Sequence, residues 1–141
     1  MTTSSRFTVA THILSLLAFC GTERCTSEFV AGSVNTNPVV IRRLLAMLRQ
    51  ARLVDSQGGP GGGWQLLREP GAITLGEIFL AVEAGALFPL HAAEPNPQCP
   101  VGRHIQAALA GIHRDAQAAL VAELGRTTLA QLVRDVKALA S

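Results

Sequence analysis

The sequence predicts a mainly α-helical fold carrying one small β-hairpin, with a long helix in its carboxyl-terminal part. Three observations lead there. Apolar residues recur at helical spacing in segment after segment. One stretch, GGPGGGW at residues 58–64, gathers glycines and a proline ahead of the only tryptophan, between two short strand-like runs. A proline-rich break at 86–102 then separates the first part of the chain from an alanine-rich segment with a single apolar stripe.

A chain of 141 residues is long enough to bury one core without metal or disulfide staples. Only 16% of its residues are charged, against roughly 25% in an ordinary soluble domain. So few charges leave apolar surface for a partner to cover. The charge is also uneven. Residues 1–54 hold six arginines and two acids, whereas the remainder is acidic, and a basic amino-terminal half suits a polyanionic partner. Three cysteines, at 20, 25 and 99, form no paired framework and fit a reducing cytoplasm. The run ILSLLAFC (13–20) is too short for a lipoprotein signal and has Phe19 where a small residue should precede the cysteine. No apolar stretch approaches the ~20 residues of a bilayer span, so no membrane partner is expected.

The elements follow in order. RFTVATHILSLLAFC (6–20) sets Val9, Ile13, Leu16, Leu17 and Cys20 at helical spacing, and Gly21 stops this first helix. TSEFVAGSV (26–34) opens with capping hydroxyls and an acid, then turns Phe29, Val30 and Val34 to one side as a short second helix. In NTNP, Asn37 is a good N-cap and Pro38 a good first residue for a third helix over 38–50. Ile41, Leu44, Leu45 and Leu48 form its packed side. Val39, Arg42, Arg43, Ala46 and Arg49 face the other way, with no acid between Ser33 and Val54. Two short helices joined by a tight polar turn, the second carrying arginines outward, are the helix-turn-helix arrangement. A solvated amphipathic helix is the bland alternative.

The glycine stretch discriminates further. LVDSQ (53–57) and WQLL (64–67) flank it as strands of a hairpin. A phosphate-binding loop would end in a lysine and a hydroxyl leading into a helix, whereas these glycines lead into Trp64 and a strand. Three helices and a hairpin make a winged helix-turn-helix. In that reading Gly59, Gly61, Gly62 and Gly63 let the wing lie against a sugar-phosphate backbone and donate main-chain N–H groups, and Trp64 anchors the wing to the core. A turn that merely needs positive φ is the alternative.

ITLGEIFLAVE (73–83) has Thr74 as cap, Glu77 as its capping-box partner, and Ile78, Leu80, Ala81 and Val82 as its apolar part. From about 101 to 124 a long helix carries Ile105, Leu109, Ile112, Ala116, Ala119 and Leu120 on one stripe, with more apolar surface than its neighbours need. Pairing with the same helix of a second subunit uses that stripe, and folding back over its own domain is the alternative. After Gly125 a closing helix aligns Leu129, Leu132, Val133, Val136 and Ala140. The expected organisation is a DNA-binding unit over 1–85, a linker and candidate sensor loop over 86–102, and dimerisation helices over 103–141.

The segments RFTVATHILSLLAF, TSEFVAGSVNTNPVVIRRLLAMLRQARLV, GGPGGGWQL and ITLGEIFLAVE, then a cysteine before a long helix, resemble the Rrf-two family of bacterial transcription regulators. NTNPVVIRRLL and NPQCPVG are most similar to its YwnA-like subgroup. The resemblance covers nearly the whole chain. It implies a homodimeric repressor on double-stranded DNA, with the third helix in the major groove and the wing at the adjacent minor groove. Carried over by position, base reading falls on Asn37, Val39, Val40, Arg42 and Arg43, with Arg49 further along the same helix. Arg42 stands where cluster-containing members often have glutamate, and arginine prefers guanine. The wing-tip arginine common in the family is Gly58 here.

Members that bind an iron–sulfur cluster place three cysteines in the linker. Only Cys99 matches, and one thiolate cannot hold a cluster that takes four protein ligands. No cofactor or metal is therefore expected. Cys99 lies close to the start of the long helix, beside Arg103 and His104, a setting that favours thiol reactivity and makes it a candidate redox sensor. An inert linker cysteine is the alternative. Two other function classes stay in view: a winged-helix protein-interaction module that has lost DNA contact, for which the missing wing arginine speaks, and an enzyme. The histidines at 12, 91, 104 and 113 are scattered with no nucleophile arrangement, so no enzyme is expected.

Overall fold

A computed structural model describes residues 4–83, 85 and 87–141. It contains α1 (Arg6–Cys20), α2 (Ser27–Val34), α3 (Pro38–Gln50), β1 (Val54–Gln57), β2 (Gly63–Leu66), a 3-10 turn (Pro70–Ala72), α4 (Leu75–Val82), α5 (Pro100–Leu124) and α6 (Leu129–Ala140). The two strands are antiparallel, with Val54 opposite Leu66 and Ser56 opposite Trp64. This is the helical chain with a single hairpin that the sequence predicts.

The core collects one face from each of α1 to α4, with Leu53 and Val54 at the root of the hairpin. On α3 the buried residues are Ile41, Leu44, Leu45 and Leu48, the side expected from periodicity. α1 is less legible. Val9, Leu16 and Cys20 lie at the edges of its packed stripe, and the centre is Ala10, Ile13, Leu14 and Leu17. α1 packs against α2, α3, α4 and α6, and a helix touched on several sides has no single stripe for a pattern to reveal.

Two aromatic residues exchange the sides expected of them. Phe29 is exposed, because Val30 and Ala31 take the inward positions of the eight-residue α2. On α4, Phe79 points inward and Leu80 outward. The ring of Phe79 meets Phe7 of α1 edge to face at 5.7 Å, a partner that local periodicity cannot show. Thr74 and Glu77 form the expected capping box. Glu77's carboxyl is held below the usual range, first by the backbone N–H of Thr74 and then by Arg68 at 3.1 Å.

α5 is 25 residues, about 37 Å long at the usual rise, and none of its residues is fully buried. It touches the core at one tight place. A Cβ on Gly76 of α4 would lie 2.9 Å from the carbonyl oxygen of Val121, so only glycine lets the two helices approach this closely. On the same side His113 stacks on Phe88 at 4.9 Å, and Gln117 accepts from the N–H of Leu87 at 3.0 Å. Val101, Ile105, Ile112 and Leu120 remain exposed.

The closing helix behaves differently. The expected division groups it with α5, yet Leu129 and Val133 are buried in the amino-terminal core against α1. Thr128 caps α6 as Thr74 caps α4, and the two threonines pair in an antiparallel bridge. Leu129 donates to Ile73 at 2.8 Å and Leu75 donates to Thr127 at 3.0 Å. The starts of both helices are thus joined through the backbone. Leu129→Ala should lower unfolding free energy by about 2–5 kcal/mol, the usual range for a buried leucine. Urea unfolding would measure it; a loss under about 1 kcal/mol would mean α6 is peripheral.

Candidate nucleic-acid interface

The tight turn between α2 and α3 is built by three consecutive polar residues. Asn35 ends α2 in the left-handed region (φ 62°), which asparagine tolerates better than most residues. The N–H groups of Asn35 and Thr36 both reach Ala31's carbonyl, at 2.8 and 3.2 Å. Asn37 then caps α3, its side-chain oxygen accepting from Val39's N–H at 2.8 Å. Pro38 follows at the first helical position. Asn37's oxygen is therefore committed to the helix, and its NH2 is the end able to donate outward.

Val39, Val40, Arg42, Arg43, Ala46 and Arg49 are all exposed, so the residues expected to face outward on α3 do so. No acid occupies the first turn of α3, which leaves its amino terminus electrostatically suited to a phosphate. The arginines are not equivalent. Arg43 makes no ion pair among the described residues. Arg42 pairs with Glu28 of α2 at 3.3 Å. Glu28's carboxyl is held below its ordinary range, first by its own backbone N–H and then by the Arg42 guanidinium. The pair therefore forms above that depressed pKa and is lost as pH falls through it. Arg49 bends away to the hairpin, donating to Ser56 at 2.9 Å.

The hairpin is seated on the loop that follows α1. Cys25 and Trp64 exchange backbone hydrogen bonds of 3.0 and 2.7 Å. At Gly63 (φ +135°) a Cβ would come within 2.6 Å of Cys25's carbonyl oxygen, so this glycine serves a close backbone approach inside the protein. Gly62 likewise turns inward, its N–H donating to Gly59's carbonyl at 3.0 Å. Gly59 and Gly61, both at positive φ, form the exposed tip. Trp64 is half-buried against the core, as its anchoring role requires.

The cysteines do not fit an iron–sulfur cluster. Cys25 is buried and free, its thiol pKa pushed up to about 12 by burial and then by a side-chain hydrogen bond with the free Cys20. Cys99 stands exposed at the N-cap of α5, on a different element. Among the described residues no three metal-ligating side chains converge. Arg103 donates through Nε to Pro97's carbonyl at 2.9 Å. Among the described residues no helix is long and apolar enough to cross a membrane.

Sequence reasoning did not find Glu28 as Arg42's partner, nor Ser56 and Arg24 as holders of the wing; Arg24 donates to Gly63's carbonyl at 3.3 Å. Glu28 and Arg42 are 14 residues apart across a turn, beyond any helical spacing rule. Glu28→Gln should free Arg42 and remove a negative charge from this face. DNA affinity by fluorescence anisotropy should rise roughly two- to five-fold at low salt, given the modest strength of exposed pairs, and the gain should shrink as salt is added. An unchanged or weaker affinity would show that Glu28 does not hold Arg42 back.

Comparison with known proteins agrees with this geometry. Residues 3–135 match the Rrf2 family, described as iron-dependent transcriptional regulators. A Bacillus subtilis (strain 168) chain described as an HTH-type transcriptional regulator, YwnA, is 42% identical over 127 residues, covering 89% of this chain and 92% of that one. Protein rrf2 of Nitratidesulfovibrio vulgaris (strain Hildenborough) is 31% identical over 136 residues, covering 96% and 87%. A solved structure described as a DNA-binding protein superimposes with a TM-score of 0.73 at 38% identity, covering 91% of this chain and 98% of that one. The chain therefore belongs to the Rrf2 family and is a winged-helix, DNA-binding transcriptional regulator rather than an enzyme.

Proposed function

We propose that this regulator is a cytoplasmic homodimeric repressor that reads a two-fold operator with α3 in the major groove. The observation that carries the reading is the face of α3. An acid-free helix, locked by four buried aliphatic residues, presents Val39, Val40, Arg42 and Arg43 to solvent from a capped start. Arginine forks match the acceptors of guanine, and valine surfaces suit the thymine methyl. The operator half-site should therefore combine guanine with thymine. Asn37 contributes its NH2, and the exposed tip at Gly59 and Gly61 lies against the sugar-phosphate backbone of the neighbouring minor groove.

The second subunit docks on α5. Val101, Ile105, Ile112 and Leu120 are exposed on a helix with no fully buried residue, and a matching stripe on a second copy covers them in a symmetric pair. The same assembly sets two copies of α3 at the spacing of successive major grooves. Residues 4–83 with α6 packed into their core supply the reading unit, and α5 the dimer contact. The exposed Cys99 at the N-cap of α5 is placed to transmit oxidation to that contact, with Cys99→Ser expected to abolish any response of DNA affinity to peroxide.

Selection from a random DNA pool, followed by affinity measurement over a salt series, tests the reading. Arg43→Ala should weaken binding and lower the slope of log affinity against log salt by about one. Ile112→Glu should yield a monomer by sedimentation velocity and lose the two-fold operator preference. A parent protein that selects no sequence at low salt would instead indicate a winged-helix module for protein partners.

A further inference from the structure

Among the basic residues of the reading face, Arg42 pairs with Glu28 of α2, whereas Arg49 is turned onto the hairpin. Its Nη1 donates to Ser56 Oγ on β1 at 2.9 Å. The same guanidinium lies 5.3 Å from the centre of the Trp64 ring on β2. Ser56 and Trp64 are direct cross-strand partners. One planar side chain from the last turn of α3 therefore grips both strands of the wing at a single rung. Guanidinium suits this task because its edge donates hydrogen bonds while its face stacks on an aromatic ring. On the other side of the hairpin, Arg24 and the Cys25 backbone hold Gly63 and Trp64. The tip at 58–62 then projects from a base clamped from two directions.

We infer that Arg49 is a positioning residue that fixes the angle between the wing and the recognition helix, and not the direct DNA contact that its place on the outward face of α3 suggests. This rests on the DNA-binding reading of α3 and adds a division of labour to it. Arg43 faces the nucleic acid, and Arg49 sets how the hairpin meets the adjoining groove. A two-stranded sheet of four residues a strand has little stiffness of its own, so a clamp at its base decides where its tip lies.

The experiment uses the full chain with Arg49→Lys, Arg49→Gln and Ser56→Ala. Trp64 is the only tryptophan, so its emission and its quenching by acrylamide report on the wing directly. Lysine keeps the charge but cannot stack and donate in this geometry. All three variants should expose Trp64 to quencher, most in Arg49→Gln. On DNA selected by the parent, Arg49→Lys should lose roughly ten-fold in affinity while its salt slope stays that of the parent. Hydroxyl-radical protection should disappear over the wing-side flank and persist where α3 sits. Thermal unfolding midpoints identify any variant that fails to fold, and Ser56→Ala, which alters one hydroxyl, then carries the test. The inference is overturned if Arg49→Lys binds like the parent while Arg49→Gln lowers the salt slope by about one with Trp64 unchanged, because that is the behaviour of a phosphate contact. A parent that selects no DNA defeats the functional reading instead, and the quenching result still decides whether the clamp exists.

Discussion

A helix can hold arginines out to solvent at a fixed orientation only if its other side cannot roll. In this protein Ile41, Leu44, Leu45 and Leu48 are each at most 2% exposed, and α1, α2, α4 and β1 all pack against their helix. Burying four such side chains contributes several kcal/mol at the usual transfer scale of about 1.5–3 kcal/mol each. The orientation of α3 follows from that socket, and the accessibility of Arg43 follows from the orientation. α2, the hairpin root and α4 are arranged around this demand.

The carboxyl-terminal helices divide what at first looks like one task. α6 inserts Leu129 and Val133 into the core, and its start is bridged to the start of α4 through the backbone. α5 spans the interval between them, touching the core closely at Gly76 and otherwise keeping its aliphatic residues exposed.

The glycine stretch answers to two demands at once. Gly62 and Gly63 are required by the protein itself, one to close the turn and one to admit Cys25's backbone. Gly59 and Gly61 form the tip and leave it without side chains. Below that tip, Arg49 meets Ser56 and Trp64 at the base of the hairpin.

Local chemistry made much of this readable in advance. Capping residues, a proline at the first turn and an amphipathic repeat are properties of adjacent residues, so α3, its outward arginines, the Thr74–Glu77 box and the hairpin were legible from the order of amino acids. Phe29, Phe79 and the stripe of α1 were not, because their burial depends on partners distant in the chain. The same holds for Arg42 and Arg49. Sequence showed both, like Arg43, as outward cations of equal standing. Tertiary structure set one against Glu28 and turned the other onto the wing, since a long flexible side chain settles on whichever acceptor or ring the fold brings within its reach.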